Sequence, residues 1–292
     1  MRELMGEAAT LSPSTIIRLK AEWRAEHEAF RTRPVERTYA YIWADGIYLD
    51  AGPEADRSCL LVVIGAREDG RKELLAMELG YRESTESWAG VLRGLRERGM
   101  RAPLLAVGDG ALGLWAGLRE VYPTTRHQRC WNHKGINVID KLPKRLQPEA
   151  RARIAGIWGS LTRADAERQR DLTVAWLRGR GQADAATTLL RDRDDLVTFY
   201  DFPAEHWRHL RTSNVIESVF SGVRLRTTVA KRAPNRENAL HLVHRIVQRL
   251  AGSWRQLNGG ATLMTLLLTG ARFRDGVLVE HPARREGVSM AA

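Results

Sequence analysis

The sequence predicts an α/β protein built around a mixed β-sheet, and three observations support this class. Three consecutive β-like runs lie in the first third of the chain, and short apolar strands then alternate with amphipathic helices. Beyond about residue 131 the pattern becomes helical. The chain has 292 residues, which is enough for a large core in one domain or two.

The first predicted element is a helix that starts after Ser12. Ser12 is a favourable N-cap, and Pro13 suits the first helical position. Pro34 interrupts the helical pattern and sets its end. The exposed Arg18 and Lys20 on this helix could contact DNA, although a solvated amphipathic helix explains them equally well.

The sheet is predicted from the next ninety residues. Three strand-like runs come first, over Tyr39–Leu49, Cys59–Arg67 and Lys72–Leu79. The order then continues as helix, strand, helix and strand, over Ser84–Arg98, Pro103–Val107, Ala111–Val121 and Thr124–Arg129. The order βββαβαβ is that of a ribonuclease H-like core, in which the first and fourth strands lie side by side.

The remainder of the chain is predicted to be mainly helical. The sheet is complete before residue 140, yet the last helix of such a core has not appeared, so an all-helical insertion is expected before it. Helix resumes near Ser213 and again near residues 235–256, and the tail is weakly specified. The expected divisions are an N-terminal segment, the first part of the core, the insertion, the last part of the core and a tail, at 1–37, 38–139, 140–204, 205–258 and 259–292.

Two aspartates lie at the ends of predicted strands. Asp45 is embedded in an aromatic and β-branched run, and Asp109 follows the apolar run Leu-Leu-Ala-Val-Gly. Because the first and fourth strands are neighbours in the predicted core, the two carboxylates should converge. Each has a simpler alternative, since Asp45-Gly46 is a good hairpin turn and Asp109 could cap the next helix.

A third acid, Glu217, lies near the start of a helical pattern. Ile216, Phe220 and Val223 form an apolar stripe that must be buried, and Glu217 borders it, so its carboxylate can reach a site at the sheet edge. The alternative is a glutamate stabilised by the helix dipole, with Ser213 as the cap. Two aspartates and a glutamate can hold a pair of Mg²⁺ ions for phosphoryl transfer.

The charge balance indicates a polyanionic partner. The chain carries 46 Lys and Arg against 35 Asp and Glu, a net charge of +11, and most of the basic residues are arginine, which suits bidentate phosphate contacts. A coding bias toward arginine is the alternative. Residues 205–255, around Glu217, contain ten Lys or Arg and three Glu.

The cysteines and the hydropathy indicate the compartment. Only Cys59 and Cys130 are present, so no disulfide framework is expected. No secretory segment or apolar run of membrane-spanning length is evident. A cytoplasmic protein without membrane attachment is expected.

The segment Cys130-Trp-Asn-His133 has the spacing of a half zinc site. A structural zinc site needs four ligands, usually from two such pairs, and the sequence offers no second pair, so zinc is disfavoured. Contacts with DNA are the other expectation. The candidates around this segment and on the later helix are Cys130, Trp131, His133, Arg129, Lys134, Arg224 and Arg226; Trp131 could stack on a base or simply lie in the core.

Taken together, six segments resemble the mutator-type transposases of bacterial insertion sequences, a branch of the DDE transposases. They are Trp43–Tyr48, Gly65–Leu74, Gly80–Trp88, Gly108–Leu114, Gln128–Lys134 and Leu210–Ser218. The resemblance extends over about residues 11–275. It implies that Asp45, Asp109 and Glu217 are the DDE triad and that Cys130 and His133 are the family's Cys-x-x-His pair.

The resemblance also implies the chemistry and the partners. Asp45 is expected to bridge two Mg²⁺ ions, for which Mn²⁺ substitutes, while Asp109 and Glu217 each complete one. The expected partners are the terminal inverted repeats of the element, target DNA and further copies of the chain.

One departure from the family concerns the N-terminus. Family members carry a longer DNA-binding region, and here Leu11–Thr15 resembles only the recognition helix of a helix-turn-helix. The chain is therefore expected to be N-terminally shortened. Two alternatives stay open: a catalytically silent copy that represses transposition by binding DNA, and a ribonuclease H-like nuclease or resolvase, which fits the core but not the insertion or the Cys-x-x-His pair.

Overall fold

The computed structural model describes residues 12–48, 58–81, 83–227 and 236–281, and the side chains of residues 58, 81, 222–227 and 236 lie outside this description. The strands are β1 Tyr39–Tyr48, β2 Ser58–Arg67, β3 Lys72–Tyr81, β4 Leu105–Gly108, β5 Arg126–Arg129, β6 Arg272–Arg274 and β7 Val277–Glu280. The first helices are α1 Pro13–Thr32, α2 Thr85–Glu97, α3 Leu112–Val121, α4 Trp131–Ile139, α5 Gln147–Trp158 and α6 Arg163–Gly179. The others are α7 Ala183–Leu190, α8 Trp207–Leu210, α9 Asn214–Thr227, α10 Arg236–Ala251 and α11 Gly260–Leu268.

Five strands form one mixed sheet in the order β3-β2-β1-β4-β5. The first three strands are antiparallel, whereas β1 and β4, and then β4 and β5, run parallel. The predicted adjacency of the first and fourth strands is thus confirmed. β1 is continuous through Asp45 and Gly46, where Asp45 is opposite Val62 of β2, so the hairpin-turn interpretation of this dipeptide is wrong.

Helices cover both faces of the sheet, which explains why β1 reads as an almost unbroken apolar run. On one face Ile42 and Ala44 of β1 pack in a cluster with Trp88 and Leu92 of α2. On the other face Tyr41 and Trp43 belong to a larger cluster that includes α9, α10 and the helices between β5 and α9. Within the described residues both faces of the sheet therefore carry packed helices, so an open site is expected at the strand ends.

The helical stretch after β5 is tied to the sheet by polar side chains. Trp43 Nε1 donates to the carbonyl of His209 at 2.8 Å, and the hydroxyl of Tyr41 lies 2.9 Å from Nδ1 of His206. Gln128 on β5 is fully buried; its amide donates to Leu196 O at 3.2 Å and its oxygen accepts from Phe199 N at 2.8 Å. Buried polar groups need such partners, so these bonds fix the stretch against the sheet.

The tail is more ordered than the sequence predicts. It contains α11 and the β6–β7 hairpin, and Phe273 of the hairpin is buried in the larger cluster. The hairpin docks through its turn, where Gly276 N donates to Tyr200 O at 3.1 Å and Gly276 O accepts from Ala204 N at 3.2 Å. Such short strands depend on tertiary contacts, which a local pattern does not reveal. Residues from Pro282 onward lie outside the described part.

None of the helices in the described segments combines the length and the apolar character that crossing a membrane requires.

α2 and α3 approach closely where α3 begins, and this contact can be tested at Gly113. A Cβ on Gly113 would lie 2.7 Å from the carbonyl carbon of Ser84 and 2.9 Å from the nitrogen of Thr85. We expect Gly113→Ala to lower the free energy of unfolding by about 1–3 kcal/mol, because backbone must move. Gly90→Ala on α2 is the control: nothing lies within 4 Å of its added Cβ, so a gain of about 0.5–1 kcal/mol is expected. Urea unfolding measures both, and equal gains would contradict the contact.

Candidate active site

Two of the predicted acids meet at the ends of adjacent parallel strands. Ala44 of β1 is paired with Gly108 of β4, so Asp45 and Asp109, which directly follow these two residues in the chain, lie side by side. Asp45 is 7% exposed, and its Oδ1 accepts a 2.9 Å hydrogen bond from Gly46 N. Oδ1 of Asp109 accepts from the nitrogen of Ala111 at 2.7 Å, which fixes the turn into α3.

A third carboxylate, Glu83, joins these two and was missed by the sequence reasoning. Asp45, Glu83 and Asp109 each offer a carboxylate oxygen, and these atoms all lie within 4.8 Å of one another. Glu83 precedes Ser84, the N-cap of α2, whose hydroxyl accepts from Ser87 N at 3.2 Å. Oε2 of Glu83 is buried without a hydrogen-bond partner among the described residues.

Gly46 allows Glu83 to reach the cluster. A Cβ at position 46 would lie 2.6 Å from Cδ and 2.8 Å from Oε1 of Glu83. Real Cβ contacts are essentially never this short, so the glutamate can lie over β1 only because residue 46 has no side chain. The Asp-Gly dipeptide therefore serves close packing inside a strand and not a turn.

The third predicted acid, Glu217 on α9, lies on the wall of the same cavity but in a second cluster. Its Oε1 accepts from the hydroxyl of Ser213 at 2.9 Å and lies 4.0 Å from Nδ1 of His133. The backbone nitrogen of Ser213 donates to the sulfur of Cys130 at 3.2 Å. Cys130, His133 and Glu217 offer ligand atoms within 4.8 Å of one another.

The crowding of carboxylates changes their protonation. Burial, followed by the charges of Asp109 and Glu217, raises the pKa of Asp45 to about 7, against the opposing effects of His133 and the Gly46 amide. Burial and the charges of Asp109 and Asp45 raise the pKa of Glu83 to about 7. Clustered carboxylates that cannot all ionise alone favour a bound cation.

His133 responds to the same charges with the opposite sign. A hydrogen bond to Cys130 is the largest effect, and with the charges of Cys130, Asp45 and Asp109 it raises the pKa of His133 to about 9, although burial opposes it. The imidazole therefore carries a positive charge at neutral pH. It belongs to the cluster with Cys130 and Glu217, and its charge lowers the pKa of Asp45 and Glu83 in the other cluster.

The two clusters open into one cavity of about 630 Å³. Its far wall is apolar and comes from α4, α5 and α9, with Ile136, Ile139, Ile154, Trp158 and Phe220 among the lining residues. Among the described residues, Arg151 of α5 is the only lysine or arginine that lines the cavity. Its side chain is exposed. The sequence reasoning did not select Arg151, since nothing local distinguishes it from other helical arginines.

Three of the residues expected to contact DNA are held inside the protein. Trp131 is 2% exposed, and its indole donates to Leu196 O at 2.8 Å. Lys134 is fully buried and donates to the carbonyl of Arg191. Arg129 forms an ion pair with Asp192. The structure therefore does not present Trp131 or Lys134 to DNA, because their polar atoms are bound within the fold and their surfaces are covered.

The other expected DNA contacts are distributed more widely. Arg18 and Lys20 lie on the exposed face of α1, and Arg18 pairs with Glu22 at 2.6 Å. Arg224 and Arg226 fall on α9 near the site, but their side chains are outside the described part.

Comparison with known proteins gives one consistent family. A family model described as "Transposase, Mutator family" matches residues 1–257. The transposase for insertion sequence element IS6120 of Mycolicibacterium smegmatis is 45% identical over 285 residues, covering 97% of this chain and 87% of the relative. The transposase for IST2 of Acidithiobacillus ferrooxidans is 42% identical over 274 residues, covering 93% and 92%. That for ISRM5 of Rhizobium meliloti (strain 1021) is 29% identical over 261 residues, covering 88% and 64%.

The raised pKa values predict how stability depends on pH in metal-free protein. Asp45 and Glu83 have pKa values of about 7 in the folded protein, so they bind protons more tightly there than in the unfolded chain. Their contribution to the unfolding free energy is complete below about pH 4 and is lost as the pH rises through 7. His133 has a pKa of about 9 in the folded protein. Its contribution to the unfolding free energy is complete below about pH 6.5 and is lost as the pH rises through 9. The contribution of these three groups to the unfolding free energy should therefore fall from about pH 4 to about pH 9, whereas the lowered pKa values of His209, His244 and Lys134 act in the opposite direction.

Asp45→Asn isolates one of these groups. Between about pH 4 and pH 7 it should make the slope of unfolding free energy against pH more positive by up to about 1.4 kcal/mol per pH unit, the value for one proton. Asp140→Asn, at an exposed position after α4, is the matched control and should leave the slope unchanged. Urea unfolding in the presence of a chelator measures both. A slope for Asp45→Asn equal to that of wild type would show that Asp45 titrates normally.

Proposed function

Because the chain belongs to the Mutator family of transposases, we propose that it catalyses DNA strand cleavage and strand transfer at the ends of an insertion sequence, with Asp45, Asp109 and Glu217 as its DDE triad. The core that we infer is ribonuclease H-like, with a helical insertion before the helix that carries Glu217. The strand order β3-β2-β1-β4-β5 supports this inference.

The observation that carries the proposal is the convergence of acids from distant segments on one cavity. Asp45 and Asp109 follow paired residues of parallel strands, and Glu217 faces the same cavity from α9. Perturbed carboxylates that converge in a cleft are typical of catalytic sites. A structural network would instead pair these acids with arginine or lysine, and none of the ion pairs found in the described segments joins Asp45 or Asp109 to either.

The donor atoms fit a hard divalent cation. Carboxylate oxygens are what Mg²⁺ prefers in proteins, and the cluster of Asp45, Glu83 and Asp109 supplies only these. The unpartnered, buried Oε2 of Glu83 is an acceptor that lacks a donor. When bound there, Mg²⁺, for which Mn²⁺ substitutes, would supply Lewis-acid stabilisation of charge on the phosphate and ease deprotonation of the attacking oxygen.

The reaction has two displacements at phosphorus. In the first, water attacks at the end of the element and the P–O3′ bond breaks, leaving a 3′-hydroxyl and a 5′-phosphate. In the second, that 3′-hydroxyl attacks a phosphodiester of target DNA and displaces its 3′-oxygen. Neither step needs a covalent enzyme intermediate, so a serine or tyrosine nucleophile is not required. The side chains hold the reacting groups in line and keep bulk water away.

Ser213 and His133 have a positioning role in this proposal. The hydroxyl of Ser213 donates to Glu217 Oε1 at 2.9 Å, and the charged His133 ring lies 4.0 Å from the same oxygen. These groups hold the glutamate in place on the cavity wall. Cys130 holds Ser213 in turn through the backbone nitrogen.

DNA is the proposed partner, and Arg151 is the proposed phosphate contact nearest the acids. It lines the cavity opposite a strongly acidic edge, where a bound phosphate needs a positive group. Joining two DNA ends to one target requires at least two active sites, so we propose that the chain acts as a homo-oligomer on DNA.

The acidic triad can be tested by removing charge at constant shape. We expect Asp45→Asn, Asp109→Asn and Glu217→Gln each to reduce nicking and strand transfer by about a thousandfold or more, because each removes a carboxylate from the site. DNA affinity should stay within about twofold of wild type. The assay uses a supercoiled plasmid that carries the ends of the matching element, with Mg²⁺ or Mn²⁺, and gel-shift titration gives the affinity.

Glu86→Gln is the control for that series. Glu86 lies in the first turn of α2 and pairs with Arg93 at 3.3 Å, away from the cavity, so this variant should cut like wild type. A triad variant that cut DNA at the wild-type rate would refute the assignment. Tight DNA binding by the wild-type chain without any cleavage would instead favour the repressor.

Arg151 can be tested by the salt dependence of DNA binding. We expect Arg151→Ala to weaken binding uniformly across sequences and to reduce the slope of log K against log salt by about 0.9, the value for one phosphate contact. Arg153→Ala is the matched control on the same helix, since Arg153 pairs with Glu149 at 2.8 Å and lies over the Trp176 ring. Equal slopes for the two variants would remove Arg151 from the interface.

A further inference from the structure

We propose that Glu83 is a fourth metal-binding carboxylate, which holds a divalent cation jointly with Asp45 and Asp109. This inference rests on the proposed function, because the cation is the one that the cleavage reaction needs. It assigns to the turn between β3 and α2 a direct role in the site.

The first argument is the convergence of three separate segments. Asp45 lies near the end of β1, Asp109 directly follows β4, and Glu83 lies between β3 and α2. Their oxygens nevertheless lie within 4.8 Å of one another, whereas Glu217 belongs to the neighbouring cluster with Cys130 and His133. Three carboxylates at this spacing match a single oxygen-coordinated cation, with the remaining positions open to water or phosphate.

The second argument is that the described residues give the Glu83 side chain no structural role as a helix cap or an ion-pair partner. The N-cap of α2 is Ser84, not Glu83. None of the ion pairs within the described ranges includes Glu83, and its Oε2 is buried without a hydrogen-bond partner. A buried acceptor left unpaired is unfavourable, and a buried like charge beside two others adds repulsion. A purely structural position would be better filled by an uncharged side chain.

The third argument is that the surrounding backbone is shaped to admit this side chain. Gly46 leaves room for the Glu83 carboxylate over β1, where a Cβ would come within 2.6 Å of Cδ. On the other side Gly113 allows the backbone at Glu83 and Ser84 to lie against the start of α3. Two glycines from different elements thus leave the space that the glutamate occupies at the cluster.

The test measures Mg²⁺ binding to the full chain without DNA. Isothermal titration calorimetry with Mg²⁺ as the only ligand gives the affinity. We expect Glu83→Gln to weaken Mg²⁺ binding about tenfold or more. The metal-free unfolding temperature of this variant should equal or exceed that of wild type, because a repelling charge is removed, while the increase that Mg²⁺ produces should shrink. Strand cleavage should fall and recover in part at high Mg²⁺ concentration.

Glu86→Gln, three residues along the chain and 82% exposed, is the matched control and should titrate like wild type. Glu83→Asp keeps the charge but shortens the side chain; it should also bind Mg²⁺ more weakly, and it carries the test if Glu83→Gln does not fold. Wild-type Mg²⁺ affinity in the folded Glu83 variants would overturn the inference.

Asp45→Asn in the same titration separates this inference from the proposed function. If Asp45→Asn loses Mg²⁺ binding and cleavage while the Glu83 variants retain both, only the role of Glu83 fails. If Asp45→Asn also binds Mg²⁺ and cuts DNA like wild type, the proposed function itself fails.

Discussion

The parallel pairing of β1 with β4 is the constraint on which the rest of the molecule depends. It places Asp45 beside Asp109 at one edge of the sheet and so concentrates negative charge where helices cover both faces. Charge that is buried and crowded is unfavourable without compensation. Neighbouring groups compensate for this charge. The pKa of His133 is raised by its neighbours, so the ring is protonated, and Gly46 and Ser213 each donate a hydrogen bond to a carboxylate.

The helices between β5 and α9 act as a wall that is fixed by interior polar contacts. Lys134 and Arg129, both next to the Cys-x-x-His pair, turn inward to Asp192. Burial and nearby arginines lower the pKa of Lys134 to about 7, so its retention inside depends on the Arg191 carbonyl and the Asp192 carboxylate. Together with Trp131 these groups lock α4 to the segment after α7. These contacts fix α4, which supplies part of the apolar side of the cavity.

The sequence predicted the elements of the sheet well, because their patterns are local. The strand runs, the Ser12 cap and the interruption at Pro34 all act within a few residues, and the element order then implied that Asp45 and Asp109 meet. Glu83 was missed because its role depends on β3 running in the same direction as β1 and β4, which brings Glu83, two residues after the end of β3, to the same edge. Arg151, the inward turn of Lys134 and the β6–β7 hairpin likewise arise from contacts between segments far apart in sequence, which no local pattern encodes.

The order of the acids along the chain has a consequence for biosynthesis. Both aspartates and Glu83 emerge from the ribosome early, whereas Glu217 follows only after the five helices α4–α8 have been made. Contacts between α9 and the sheet join segments distant in sequence, so their formation carries a large loop-closure entropy cost. An incomplete chain that ends before α9 contains the sheet's aspartates but neither Ser213 nor Glu217, so it lacks one side of the cavity. The topology thus completes the cavity only once α9 has been made.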